Sequence, residues 1–251
     1  MSSRLQQLAK DIARPVARLM GLAHRDSSPL ELRMIADGFG QLTSDCPGPL
    51  LIRETFDERQ DARELGDLFR RHGSDKANKH DYHLAYGTLL ASRRSESLRL
   101  LEVGIGSVNP RIPSNMGLSG VPGASLRAWR DWGPLFQIIG ADIDPATMFG
   151  DERIETIVVD QLSTASLAAL AERVRPVDIV IVDGLHAFAA DLKTLIAGLS
   201  MLSRGGMVAV EDVVPGAFGL WRAVSAVLAN KYDCRLYVGA AGEGLMIITA
   251  A

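Results

Sequence analysis

Carboxylate side chains follow two apolar segments that the sequence predicts to be buried strands. Asp183 comes directly after VDIVIV, and Glu211 and Asp212 come directly after MVAV. Because the carboxyl ends of parallel strands meet at one edge of a sheet, we expect these three carboxylates to lie close together. Carboxylate oxygens are preferred ligands of hard divalent cations. The pattern predicts a Mg²⁺ or Mn²⁺ site, with helix capping as the structural alternative.

A histidine follows Asp183 by three positions, in Asp-Gly-Leu-His, where the sequence predicts the start of a helix. An imidazole with an ordinary pKa of about 6.5 is mostly neutral at neutral pH and can accept a proton. His186 is therefore a candidate general base. The alternative is a hydrogen-bonding residue at a helix N-terminus. Among the other histidines, only His80 is a minor candidate for a functional role.

A glycine-bearing loop follows another predicted strand, from Leu98 to Val103. Gly104 and Gly106 allow the chain to turn sharply and to approach a ligand closely. A helix is predicted from Ala124 to Trp132, and the next strand ends at Asp142. An acidic residue at that strand end commonly holds the ribose hydroxyls of a nucleotide. The stretch predicts a cofactor that contains a nucleoside.

The same edge of the predicted sheet carries a large number of other acidic and polar side chains. These are Glu102, Asp144, Asp160 and Gln161. A pyrophosphate group favours free backbone N–H groups and positive charge, which an acidic edge does not offer. The third glycine of the dinucleotide fingerprint is also missing. Both features disfavour a nicotinamide dinucleotide and favour a ligand with cationic or neutral groups, or one that binds beside a metal.

Composition is that of an ordinary globular protein. The 251 residues are 47% hydrophobic and 23% charged, and the net charge of −3 gives no reason to expect a nucleic-acid partner. No apolar run reaches the roughly 18 residues of a membrane span, and the N-terminus lacks the apolar core of a secretory signal. Two cysteines are too few for a disulfide framework, which favours a reducing compartment. We expect a cytoplasmic protein.

Strand and helix patterns alternate from Leu98 onward, which predicts an α/β protein with a doubly wound parallel sheet. Among the predicted helices are TASLAALAERV and HAFAADLKTLIAGLSML, and the second is expected to end at Arg204-Gly205-Gly206. The last segment, CRLYVGAAGEGLMIITA, predicts a β-hairpin. Residues 1–72 read as helices broken by turns. The predicted elements are an amphipathic helix at the start, a helix LELRMIADGFGQL that follows Pro29, a turn at Cys46-Pro47-Gly48-Pro49 and a helix in TFDERQDARELGDLFRRHG. We predict that residues 1–72 form a helical N-terminal extension that serves as a lid or an oligomer contact. Residues 73–251 form the main domain.

Four motifs resemble those of the class I S-adenosylmethionine-dependent methyltransferases, and more narrowly the metal-dependent sugar O-methyltransferases of the macrocin and mycinamicin type. They are Gly73-Ser74-Asp75-Lys76, Leu101–Gly106 followed by Gly123–Trp129, Gly140–Asp144, and Asp183-Gly184-Leu185-His186 with Glu211-Asp212. The last motif matches in both residue type and spacing and is the most specific. The resemblance runs from Gly73 to the C-terminus and implies a Rossmann-like seven-stranded sheet with a C-terminal hairpin.

This resemblance implies S-adenosylmethionine as the cofactor. The matching residues are Glu102, Gly104 and Gly106 along the methionine part, Asp142 at the ribose hydroxyls, and Asp160 and Gln161 at the adenine. Further residues expected to bind the cofactor are Lys76, Ser125 and Asp144. The Glu102 carboxylate would lie near the cationic amine of the cofactor. Relatives of this type often form dimers or larger assemblies, so a homo-oligomer is expected.

The resemblance also implies the reaction. Asp183, Glu211 and Asp212 would hold a Mg²⁺ ion that binds neighbouring oxygens of the acceptor. His186, with Asp183 beside it, would be catalytic and would take the proton of the acceptor hydroxyl as it attacks the methyl group. This division agrees with the chemistry, because an alcohol is a poor nucleophile that needs a base, whereas a sulfonium needs only in-line placement.

Several alternatives stay open at this point. The favoured acceptor is a sugar hydroxyl of a secondary metabolite or glycan, since an aromatic content of 6% offers little stacking surface. A catechol-like acceptor suits the same metal chemistry. A non-catalytic protein that only binds the cofactor is a third hypothesis, and a nicotinamide oxidoreductase is the least favoured. The long loop from Ser107 to Pro122 is expected to shape recognition of either the cofactor or the acceptor.

Overall fold

The computed structural model of the chain describes residues 51–52, 59–239 and 241–250. The predicted amphipathic helix at the start of the chain, the helix after Pro29 and the turn at Cys46-Pro47-Gly48-Pro49 lie outside the described residues. The division of the chain at residue 72 therefore stays a prediction.

One mixed sheet forms the centre of the described structure. Its strands are β1 Leu51–Ile52, β2 Arg99–Val103, β3 Gln137–Asp142, β4 Ile154–Val158, β5 Val177–Val182, β6 Leu202–Val213, β7 Tyr232–Val238 and β8 Gly244–Ala250. They are arranged in the order β1-β7-β8-β6-β5-β2-β3-β4. β8 runs antiparallel to β6 and β7, and every other pair is parallel. The predicted seven-stranded sheet and closing hairpin are confirmed, and the two-residue β1 adds an edge strand that was not expected.

Within the described residues, six α-helices cover the two faces of this sheet. They are α1 Gln60–His72, α2 Tyr82–Leu90, α3 Ala124–Trp132, α4 Thr164–Val174, α5 Phe188–Met201 and α6 Phe218–Leu228. α3 and α4 begin and end where the sequence predicts. In both, a helix-compatible run lies between clear boundary residues, such as Ser163, whose side chain caps α4.

The predicted glycine stop of α5 is wrong. The helix ends at Met201, and the chain enters β6 at Leu202, ahead of Gly205 and Gly206. Leu202 pairs with Val177 of β5, and the register then shifts so that Ile179 pairs with Met207. The two glycines therefore lie in an irregular first part of β6, where the strand takes up extra residues, and do not terminate the helix.

The sheet is covered on both faces, as the apolar β5 segment predicts. Val180 and Val182 belong to a core layer with α4, α5 and α6, whereas Ile179 and Ile181 belong to a layer with α1, α2 and α3. α1 packs into the second layer through Phe69, whose ring meets Trp129 edge-on at a centroid distance of 5.2 Å. The α1–α3 layer thus supports the segment that leads into α2. Among the described helices, none is long and apolar enough to cross a membrane.

Candidate active site at the carboxyl edge of the sheet

Three neighbouring strands, β2, β5 and β6, bring the predicted carboxylates together. Glu102 lies in β2, Asp183 directly follows β5, and Glu211 and Asp212 lie near the end of β6. The strand order β6-β5-β2 makes these three ends adjacent. The expectation that the strand-end carboxylates lie together is confirmed.

A buried ammonium lies among these carboxylates. Lys76 belongs to a short 3₁₀ turn, Asp75–Ala77, and is only 2% exposed. Its Nζ forms ion pairs with Asp183 Oδ2 and Glu211 Oε2 and lies 3.3 Å from Glu102 Oε1. Burial alone would lower the pKa of Lys76, but Asp183, Glu102 and Glu211 raise that pKa well above its ordinary value. Lys76 therefore stays charged.

Glu211 is held on both sides by protein groups. Its Oε1 accepts a hydrogen bond of 2.6 Å from the Tyr86 hydroxyl, and its Oε2 pairs with Lys76. Burial raises the pKa of Glu211 well above its usual range, against the opposing effect of the Lys76 charge. Both carboxylate oxygens of Glu211, one of the three predicted metal ligands, thus already accept a hydrogen bond from a protein group.

Asp183 and Asp212 converge instead on His186. The Nε2 atom of His186 lies 3.9 Å from Asp183 Oδ1 and 3.8 Å from Asp212 Oδ2. Asp183, His186 and Asp212 each have one nitrogen or oxygen atom that could bind a metal, and these three atoms lie within 4.8 Å of one another. A single cation could contact all three. His186 and Asp212 both have left-handed backbone, with φ of 54° and 52°. Such strain in non-glycine residues is common at functional sites.

The start of α2 holds Asp212 from the opposite side. The Tyr82 hydroxyl donates to Asp212 Oδ1 at 2.8 Å and accepts from the Asp212 backbone N–H at 3.0 Å. The buried His80 ring has its Nδ1 3.4 Å from the same oxygen and 2.9 Å from Glu243 Oε2. From the sequence, His80 is a minor candidate, and neither Tyr82 nor Tyr86 is predicted to belong to the site. Tyr82 and Tyr86 are four residues apart on α2, and that spacing is the signal that places them on one face.

Two adjacent cavities open at this edge. The first, of about 170 Å³, is lined by Gly104, Gly106, Ser114, Asp142, Asp160, Gln161 and Asp183 among others. The second, of about 420 Å³, is lined by Lys76, Glu102, Gly104, Gly106, Ser114, Ser125, Asp183, His186, Glu211 and Asp212 among others. Because the two cavities share four of these residues, one elongated ligand can extend through both.

The acidic residue at the end of β3 lines the first cavity. Asp142 Oδ2 accepts from the Ile105 backbone N–H at 2.9 Å, and its Oδ1 accepts from the Asp144 N–H at 3.0 Å. Each oxygen keeps a lone pair for a further donor. Asp144 lines neither of these two cavities, and its carboxylate accepts from the Ser107 hydroxyl and the Ala146 N–H. It orders the loops around the first cavity.

The carboxylate of Glu102 faces the second cavity and is fully buried. Its Oε1 accepts from the Ser125 hydroxyl at 2.7 Å and lies near Lys76. Its Oε2 has no hydrogen-bond partner among the described residues. Burial raises the pKa of Glu102, and the Lys76 charge opposes that rise. An unpartnered buried carboxylate oxygen is costly, and a cationic ligand group would satisfy it.

The loop from Ser107 to Pro122 borders both cavities. Ile112 and Pro113 line the first, Met116 lines the second, and Ser114 lines both. The Ser114 hydroxyl also donates to the Gly184 carbonyl at 2.8 Å, which ties the loop to the segment after β5. The loop therefore borders the space open to a cofactor as well as the space open to an acceptor.

Sequence comparison relates the chain to two methyltransferases of known reaction. It is 33% identical over 154 residues to the 8-demethyl-8-alpha-L-rhamnosyl tetracenomycin-C 2'-O-methyltransferase of Streptomyces olivaceus. It is 33% identical over 152 residues to the mycinamicin VI 2''-O-methyltransferase of Micromonospora griseorubida. These matches cover 61% and 60% of this chain, and 39% and 36% of the relatives. The chain thus spans less than two fifths of their length. No protein-family model matches it.

Structural comparison gives the fold. The MycE methyltransferase from the mycinamycin biosynthetic pathway, solved in complex with Mg, SAH and mycinamycin VI, aligns with a TM-score of 0.62 at 23% identity. The alignment covers 74% of this chain and 54% of that chain. The expected class I methyltransferase fold is therefore confirmed.

Gly104 offers a direct test of how closely the ends of β2 and β5 must approach. Its φ is +96°, and an added Cβ would overlap the Asp183 carbonyl oxygen. We expect Gly104→Ala to cost about 1–3 kcal/mol in the free energy of unfolding and to distort both cavities. Gly150→Ala is the matched control, because a Cβ there would meet nothing within 4 Å. The free energy of unfolding of both variants is measured by urea denaturation. An equally small loss in Gly104→Ala and Gly150→Ala would contradict the expectation.

Proposed function

We propose that this chain is an S-adenosylmethionine-dependent O-methyltransferase that binds a divalent cation and methylates a sugar hydroxyl. The observation that carries the proposal is the second cavity. It combines a buried, unpartnered oxygen of Glu102 with the cluster of Asp183, His186 and Asp212. A cationic cofactor and a metal-assisted proton transfer would use these two features side by side.

The residues at the two cavities fit the cofactor. The methionine ammonium of S-adenosylmethionine would donate to Glu102 Oε2, which has no other hydrogen-bond partner in the described part of the chain. The ribose hydroxyls would donate to Asp142, and Asp160 and Gln161 border the end of the first cavity where the adenine would lie. Gly106, with a φ of +85°, keeps the loop after β2 close to the connection between the cavities. The resemblance in sequence supports the same assignment.

Two of the three predicted metal ligands, Asp183 and Asp212, also fit a divalent cation. Asp183 and Asp212 present carboxylate oxygens toward a common point beside His186, and such oxygens are what Mg²⁺ and Mn²⁺ prefer. Glu211 would first have to leave Lys76 or Tyr86, so we assign the cation to the two aspartates. When bound, the cation would lower the pKa of an acceptor hydroxyl. The presence of Mg in the MycE structure supports a divalent cation as the ligand.

His186 would act as the general base. Its imidazole is about one-quarter exposed and lines the second cavity, so an acceptor hydroxyl can reach it. In the proposed reaction the acceptor oxygen forms a bond to the methyl carbon and the carbon–sulfur bond breaks. The bonding electron pair stays on sulfur, which yields S-adenosylhomocysteine, and the hydroxyl proton moves to His186. In-line placement of the methyl group is all that the sulfonium requires.

The lining of the cavities favours a sugar over a catechol. Among the described residues that line the two cavities, none is Phe, Tyr or Trp, so the aromatic rings there are the imidazoles of His80 and His186, and neither cavity offers a phenyl, phenol or indole ring for stacking. Ser74, Asp75, Lys79 and Asn115 instead border the second cavity with hydrogen-bonding groups. Such a wall suits the hydroxyls of a sugar, and the relative from Streptomyces olivaceus is named for acting on a rhamnosyl tetracenomycin.

Cofactor binding can be tested through Glu102. Calorimetric titration with S-adenosylhomocysteine is expected to give one site per chain, and Glu102→Gln is expected to weaken it at least about tenfold, because a charged acceptor is lost. Glu96→Gln is the control, since that carboxylate is half exposed, pairs with Arg93 and lines neither cavity. If the wild-type chain bound no S-adenosylhomocysteine at millimolar concentration, the methyltransferase proposal would fail.

The role of His186 can be tested in methyl transfer from radiolabelled cofactor to a panel of deoxysugar glycosides and catechols. We expect transfer to a sugar acceptor that requires Mg²⁺ or Mn²⁺ and stops with EDTA. His186→Ala should lower turnover by about 10²–10⁴-fold, because the base is removed, while S-adenosylhomocysteine affinity stays unchanged. His72→Ala is the matched control, since His72 pairs with Asp131 away from the cavities. Full activity of His186→Ala would exclude the proposed base, and transfer to catechols alone would exclude the sugar.

A further inference from the structure

We propose that Lys76 is a positioning residue that fixes the cofactor carboxylate and the metal carboxylate at the same time. This inference rests on the proposed function for the identity of the two ligands. It departs from the resemblance, which implies that Lys76 binds the cofactor itself. In the structure Lys76 contacts the groups that would hold the ligands: Glu102 on one side and Asp183 on the other.

The hydrogen-bonding capacity of Lys76 is already used by the protein. An ammonium has three N–H donors and no acceptor. Three carboxylates, from β2, from the end of β5 and from β6, surround its Nζ: Glu102, Asp183 and Glu211. With its side chain almost fully buried, Lys76 has no donor left for a ligand.

The backbone of Lys76 is fixed as well. Ser74 precedes the 3₁₀ turn and its hydroxyl oxygen accepts from the Lys76 N–H at 3.4 Å. Ser74 is itself buried, and the following Ala77 belongs to the core layer with α1, α2 and α3. The ammonium therefore reaches the strand ends from a rigid support and not from a mobile loop.

Each ion pair of Lys76 decides which carboxylate oxygen faces a ligand. Asp183 gives its Oδ2 to Lys76, which leaves Oδ1 on the side of His186. Glu102 gives its Oε1 to Ser125 and Lys76, which leaves Oε2 without a protein partner. One ammonium thus orients both binding groups, so its removal should weaken both ligands together.

Simple charge repulsion predicts the opposite sign. A positive charge beside a cation site repels a bound cation, so if Lys76 acted only through its charge, removing it would strengthen binding of a divalent cation. The direction of the change in Lys76→Met therefore separates positioning from plain electrostatics. Residues that orient metal ligands without touching the metal typically contribute 10–100-fold in affinity, which sets the expected size of the effect.

The experiment uses two probes and no acceptor. S-adenosylhomocysteine affinity is measured by calorimetry, and Mn²⁺ affinity by the electron paramagnetic resonance signal of the free ion. We expect Lys76→Met to weaken both affinities by about tenfold or more. Lys231→Met is the matched control, because Lys231 is an exposed lysine in the turn before β7 and lines neither cavity, and it should change neither affinity.

A second variant guards against loss of folding. Lys76→Met leaves Glu211 buried beside Tyr86 without its counter-ion, which is strongly destabilising, whereas removing both charges of a buried pair is often tolerated. Lys76→Met/Glu211→Gln should therefore unfold at a higher temperature than Lys76→Met, because only Glu102 and Asp183 then lose their counter-ion. The folded double variant should still bind both probes weakly. Unchanged or tighter Mn²⁺ binding in the folded double variant, or weakening of only one probe, would overturn the proposal. Failure of the wild-type chain to bind either probe would instead count against the proposed function.

Discussion

One buried ammonium surrounded by three carboxylates is the interaction on which the rest of the site depends. Parallel strands β2, β5 and β6 end side by side, and each delivers an acidic side chain to the same place. Buried carboxylates at such proximity repel one another and lose the solvation of water. The charge of Lys76 offsets both costs, and this is why the acidic edge can exist inside a folded protein.

The geometry around this centre explains how two cationic ligands can be held within one site. The ammonium occupies one oxygen of Glu102 and one of Asp183. This leaves Glu102 Oε2 without a hydrogen-bond partner among the described residues and Asp183 Oδ1 on the side of His186. Tyr86 and Tyr82 fix Glu211 and Asp212 from α2, so the residues of β6 do not need a ligand to keep their positions. A site arranged before its ligands arrive loses less conformational freedom when they bind.

Much of this could be predicted from sequence, because strand-end carboxylates and the Asp-Gly-Leu-His spacing depend only on local pattern and on the parallel topology. The limits of α3 and α4 follow from local signals in the same way. The ion pairs of Lys76 could not be predicted. Asp183 is 107 residues away in sequence, and a sequence pattern does not show which carboxylate oxygen accepts from which donor. The glycine stop after α5 failed because pairing of Leu202 with β5 overrode a local signal. The sequence pattern predicts the helices and strands and the edge of the sheet at which the site lies, whereas tertiary packing determines the side-chain contacts within it.

A crystal structure of the chain with S-adenosylhomocysteine and Mn²⁺, with anomalous scattering recorded for manganese, tests the proposed site most directly. We expect one anomalous peak for a manganese ion that is bonded to carboxylate oxygens of Asp183 and Asp212. In the same crystal the amino group of the cofactor should donate to Glu102, with Lys76 still paired to Glu102 and Asp183. Bound S-adenosylhomocysteine with manganese absent from the two aspartates, or with its amino group away from Glu102, would contradict the proposed assignment.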